Sequence, residues 1–195
     1  MTLGSSGIPL FFINYKRFIN FRANRFYSFF VMLLMARFLT DLSVFVLEKT
    51  IHNSLPTFHF SGPVQFILIL ELFYLVGRFK LKKSFFIATA LVFSALDLFI
   101  TSNLFDSNVL SVLYQYLAII FIGFRILLSH EGTKFERLIL ESITIYYAVL
   151  IFYVYFLDET IYLNGLMDYI MVFVCSVILV LNGIFTYSLC LNHKN

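Results

Sequence analysis

Residues 26–47 read FYSFFVMLLMARFLTDLSVFVL, and this stretch decides the class of fold. Phe29 to Met35 are apolar at every position, whereas a membrane barrel strand alternates over about ten residues. The run also matches the roughly 20 residues that a helix needs to cross hydrocarbon at about 1.5 Å per residue. Working outward, five further runs of the same kind cover about 63–79, 84–104, 109–128, 138–157 and 168–191. The expected fold is all-α: a polytopic membrane protein whose six-helix transmembrane bundle occupies residues 26–192.

Composition agrees. Of 195 residues, 61% are hydrophobic, 26 are Phe and only 13% are charged. A soluble domain of this length buries only part of its chain and cannot hide so much apolar surface. A soluble enzyme, a disordered chain and a disulfide-framed domain are thereby excluded. Cys175 and Cys190 lie on one expected helix, roughly 22 Å apart by rise, too far for a bridge. Breaks between the runs have local causes. Leu55-Pro56 and Gly62-Pro63 bracket the expected first link, because a residue before proline is biased away from helix. Polar turns follow at Phe105–Asn108, Ser129–Lys134 and Asn164-Gly165.

Cations fix the expected orientation. With six spans, eleven of the 14 Lys and Arg residues fall on one side and only Lys49 on the other. Lysine and arginine accumulate on the cytoplasmic side, so both termini are expected there and the links after spans one, three and five outside. The cell membrane is the expected location. Residues 1–25 lack the pattern of a cleavable leader. They mix Leu10, Phe11, Phe12, Tyr15 and Phe18 with Lys16, Arg17, Arg22 and Arg25, as a basic amphipathic segment on the inner leaflet would. That role accounts for the positive charge without nucleic acid.

Charges inside spans are the candidate functional residues, since each costs about 2.5–3.5 kcal/mol at the centre of a helix on insertion scales. Arg37, Asp41, Glu71 and Asp97 are expected to form one polar cluster in the outer half of the bundle. Arg125 and Glu141, near the inner ends of spans four and five, are expected to form an ion pair. Small and polar residues lie on stripes: Ala90, Ser94, Asp97 and Thr101 on one helix face, and Ser111, Gln115, Ala118 and Arg125 on another. Such faces point into a bundle, because lipid offers no hydrogen bonds.

The chain has no H-E-x-x-H, G-x-S-x-G, C-x-x-C or Walker A pattern, and its histidine spacings match no metal site. No cofactor or metal is expected. The bilayer itself is the expected partner. The expected function is transport or sensing of a small solute, ion or proton through the polar cluster. The alternative is a membrane subunit or scaffold that binds another membrane or cytoplasmic protein. An intramembrane enzyme acting on a lipid is third.

Overall fold

The computed structural model describes residues 6–20, 24–52, 55–77, 79, 82–101, 109–129, 132–160 and 166–193. Expectations resting on Arg22, Arg78, Lys80, Asp106, Asn164-Gly165 and Lys194, and on the side chains of Lys16, Asp158, Glu159 and Asp168, lie outside the described residues. All regular structure among the described residues is helical. A 3-10 turn, Ile8–Phe12, and a single-turn helix α1, Tyr15–Ile19, come first. Six long helices follow: α2 Arg25–Ile51, α3 Leu55–Val76, α4 Lys83–Thr101, α5 Val109–Ser129, α6 Lys134–Thr160 and α7 Leu166–His193. Among the described residues, five of these, all but α6, contain a stretch long and apolar enough to cross a bilayer. α6 gathers Lys134, Glu136, Arg137 and Glu141 near its start, ahead of a long apolar remainder.

The start of α6 has a local cause. Thr133 Oγ1 accepts from the Glu136 N–H at 3.3 Å, and Glu136 Oε2 accepts from the Thr133 N–H at 2.7 Å. This reciprocal capping box satisfies two backbone donors and starts the helix at Lys134, ahead of the expected Leu138.

α3 departs furthest from expectation. It begins at Leu55, and Pro63 lies inside it. Pro56 sits in the first turn, where a missing N–H leaves nothing unpaired. Pro63 forgoes one backbone hydrogen bond within a helix whose other turns continue. The midpoint of α3 therefore falls at Gln65 and Phe66, and Glu71 is roughly 8 Å nearer its C-terminal end.

The helices pack in the order α2, α3, α5, α6, α7, with α4 outside against α5 and α3. Phe30 of α2 lies at the centre of one end, its ring 5.3 Å from Phe185 of α7 and 6.2 Å from Phe135 of α6. This end, where α2 starts and α7 finishes, is the base. Phe66, Leu70, Phe73, Ile119, Ile122 and Ile139 extend the fully buried core. Large apolar residues also face outward, among them Leu39, Phe99, Leu128 and Val172. A bundle with so much outward apolar surface suits hydrocarbon surroundings and not water.

The first residues close the bundle. The 3-10 turn packs against both α7 and α2. Near the base, Ser28 Oγ donates to the Phe18 carbonyl at 3.3 Å and the Asn14 N–H donates to Tyr27 Oη at 2.6 Å. Further up, Gly7 meets the Phe38 ring. The segment thus climbs α2 along its seam with α7, burying Pro9 and Ile13. One amphipathic helix over 8–25 is not what forms. The chain turns at Asn14, whose Oδ1 accepts the Arg17 N–H at 3.3 Å and begins α1 anew.

α5 and α6 approach closely at Gly123. A Cβ there would stand 2.7 Å from Thr144 Cγ2 and 2.9 Å from its Cβ. Thr144 is buried and branched, so it cannot yield. Gly123→Ala is expected to lower stability by about 1–3 kcal/mol, read as a fall in thermal unfolding temperature in detergent. Gly183→Ala on α7 is the matched control, since nothing stands within 4 Å of the Cβ it would add. Equal stability of the two variants would contradict the close approach.

Candidate functional site

The midpoints of five helices converge on one cavity. Arg37, Gln65 and Phe66, Ile119, Tyr147 and Ile178 each stand within two residues of the centre of α2, α3, α5, α6 and α7, and all line it. Its volume is about 130 Å³, room for several water molecules. Asp41, Ser61, Gln115 and Tyr146 complete most of its polar lining.

Arg37 enters this cavity held by rings. Its guanidinium carbon is 4.9 Å from the centroid of Tyr146 and 5.8 Å from that of Phe185. Cation–π contacts at these distances contribute about 2 kcal/mol or more when desolvated. Tyr146 and Tyr147 pack edge to face, and Tyr147 meets Tyr116 the same way, so the three rings form one aromatic wall. Asp41 is one turn beyond Arg37 on α2. Among the described residues, no carboxylate lies within ion-pair distance of Arg37, Asp41 included. One cation and one anion therefore face the same cavity without pairing with each other.

The amide side chains hold the walls. Gln65 Nε2 donates to Thr40 Oγ1 at 2.9 Å, joining α3 to α2. Thr40 Oγ1 in turn donates to the Ala36 carbonyl at 2.8 Å. Gln115 Nε2 donates to Ser111 Oγ at 2.8 Å.

Asp97 and Glu71 stand elsewhere and are not among the residues lining the cavity. Asp97 Oδ1 accepts the Leu110 N–H at 3.2 Å, and Oδ2 accepts the Ser111 N–H at 2.6 Å. Those are donors of the first turn of α5, left without intrahelical partners. Asp97 thus caps α5 from α4, and the positive end of the helix dipole favours its charge. The stripes on α4 and α5 meet here, with Ser94 Oγ and Ser111 Oγ 2.8 Å apart. Glu71 instead pairs with Lys83, the first residue of α4. The shift in the α3 midpoint explains this: Glu71 lies toward the base, where a lysine at a helix start can reach it. The four expected cluster residues thus occupy three surroundings, and only Arg37 and Asp41 share one.

Arg125 and Glu141 likewise have other neighbours. Glu141 Oε1 lies 3.4 Å from Arg137 Nη2, one turn earlier on α6. The Arg125 guanidinium lies over Phe79, 5.5 Å from its centroid. An i,i+4 partner on the same helix is closer to hand than one from α5.

The sequence pattern alone does not mark Gln65 and Gln115 as mid-span site residues. Gln115 stands on the recognised α5 stripe, and Gln65 is the polar residue nearest the true centre of α3. Among the described residues, no group of three or more His, Cys, Asp or Glu side chains gathers as a metal site would.

Fold and cavity together define a helical membrane bundle with a charged, mid-depth interior site. Comparison with family models, curated proteins and solved structures finds no match to this chain.

The capping role of Asp97 has a measurable consequence. Asp97→Ala leaves the buried Ser111 N–H and the partly buried Leu110 N–H without their acceptor and is expected to cost about 1–3 kcal/mol of stability. Asp97→Asn keeps one acceptor oxygen and should lose about half as much. Thermal unfolding in detergent checks both, and an Ala variant as stable as the parent would contradict the cap.

Proposed function

We propose that this is a six-span protein of the cell membrane, both ends cytoplasmic, that binds a small polar solute in the cavity to transport or sense it. One observation carries the reading: Arg37 and Asp41 face a single mid-depth cavity without forming an ion pair. Two charges kept merely to tie helices together would sit against each other or against opposite charges on neighbouring helices. Left apart in a low-dielectric interior, they are costly unless water or a ligand meets them.

The cavity contributes complementary groups one turn apart on α2. Arg37 offers a planar set of donors suited to a carboxylate or phosphate. Asp41 offers an acceptor for an ammonium group. Gln65, Gln115 and Ser61 add neutral hydrogen-bonding groups, and the tyrosines supply aromatic faces. A solute carrying both charges would leave neither residue uncompensated. Six long helices and the cation distribution together support the cytoplasmic orientation.

Binding is tested on the full chain with amino acids, amines, small carboxylates and phosphate esters. Stabilisation by mass action reaches about 2.7 kcal/mol at a hundred times the dissociation constant. A zwitterionic solute is expected to raise the unfolding temperature, and Arg37→Leu or Asp41→Asn to weaken it at least about tenfold, the equivalent of 1.4 kcal/mol. Absence of stabilisation by every solute, together with absence of flux in proteoliposomes, would contradict the reading. Orientation is tested separately with single cysteines at Asn53, Ser107 and Asn164. All three should react with an impermeant outer reagent, and protection of any one counts against six spans with inner termini.

A further inference from the structure

The polar cavity shares a wall with the lipid-facing surface. Thr40 and Ser61 line it and also line a larger groove, of about 720 Å³, along the outer side of the α2–α3 seam. Leu39, Val46, Phe60 and Val64 make that groove apolar, and all four are exposed. In a bilayer they face hydrocarbon. The groove runs from the cavity toward the end of the bundle away from the base, since Leu47 and Pro56 line its far part.

A polar track runs through this greasy seam. Thr57, Ser61 and Gln65 follow one another at four-residue spacing, so they share one face of α3. Hydroxyls in membrane helices ordinarily donate to the carbonyl four residues back, as Thr40, Thr89, Ser94 and Thr144 do here. Ser61 Oγ does not, and Thr57 Oγ1, in the first turn of α3, has no carbonyl of that helix four residues back. Both atoms are buried and have no hydrogen-bond partner among the described residues. Two adjacent unsatisfied hydroxyls are an expense in hydrocarbon. Their position, between lipid and a cavity holding an unpaired cation and anion, fits the passage of a charged head.

We propose that the ligand is a membrane amphiphile with a zwitterionic head, one phosphate and one amine, entering sideways between α2 and α3. This rests on the cavity reading above and names its substrate class. The head moves along Thr57 and Ser61 to Gln65 and comes to rest with its phosphate toward Arg37 and its ammonium toward Asp41. The chain stays in the α2–α3 groove and the surrounding hydrocarbon. Size agrees with this division, because a cavity of about 130 Å³ has room for a head and not for a whole lipid. The chain adds affinity chiefly by holding the head in the membrane at high effective concentration.

The test uses the full chain in an uncharged maltoside detergent, with thermal stabilisation as readout. The probes are lysophosphatidylethanolamine, free phosphoethanolamine and a monoacylglycerol of the same chain length. The lysolipid is expected to stabilise the protein. The free head should do so only at much higher concentration, and the monoacylglycerol not at all. Thr57→Val should raise the lysolipid concentration required about fivefold to tenfold, the worth of one hydrogen bond. Val64→Trp, which fills the groove outside the cavity, should weaken the lysolipid response more than the free-head response. A free head as potent as the lysolipid, or a lysolipid response indifferent to both variants, overturns the sideways path and leaves the cavity reading standing. A monoacylglycerol as effective as the lysolipid overturns head recognition. No response to any probe, with zwitterionic solutes also inert, overturns both.

Discussion

Hydrocarbon offers no hydrogen bonds, and that constraint bears on Arg37, Glu71 and Asp97 inside the helices of this bundle. Three different solutions appear. Asp97 spends its charge on the open backbone donors at the start of α5. Glu71 takes Lys83. Arg37 is held against the faces of Tyr146 and Phe185, an attraction that leaves its donors free to point into the cavity. The first two are closed arrangements that stabilise the fold. The third is open, and so is that of Asp41, which is why the cavity and not the whole set of charges is the site.

The fold supports that site through a few local devices. Phe30, Phe135 and Phe185 make an aromatic floor at the base, below the cavity. The first residues climb the seam between α2 and α7 and close the ring of helices. The hydrogen bond from Gln65 to Thr40 fixes α3 against α2 at cavity depth. Gly123 lets α5 lie against Thr144 of α6. Pro63 breaks one backbone bond in α3 without ending it, two residues from the cavity-lining Ser61 and Gln65.

Much of this was legible in the sequence, because apolar length and the breaks between runs locate helices in hydrocarbon well. The stripes on α4 and α5 were legible too, and Ser94 and Ser111 do meet. Depth was less legible. Reading Gly62-Pro63 as the end of a link displaced the centre of α3 toward Glu71 and hid Gln65, although a proline can be carried within a membrane helix. The Thr133–Glu136 capping box was present as a T-x-x-E pattern and gives the true start of α6. The cap on α5 could not be read, because its acceptor comes from another helix and the pairing is set by packing. The same holds for Glu71 with Lys83, and for Arg37 with rings on α6 and α7.

A cavity at mid-depth that holds Arg37 and Asp41 requires a polar, hydrated space around Gln115, not a dry core. In a chain carrying Cys175→Ala and Cys190→Ala, single cysteines are introduced as Gln115→Cys, which lines the cavity, and Ile139→Cys, which is fully buried away from it. Both are exposed in proteoliposomes to a small polar methanethiosulfonate reagent. A hydrated cavity predicts modification at Gln115→Cys many times faster than at Ile139→Cys, with slowing when a bound solute occupies the space. Equal protection at the two positions in a folded protein would contradict it.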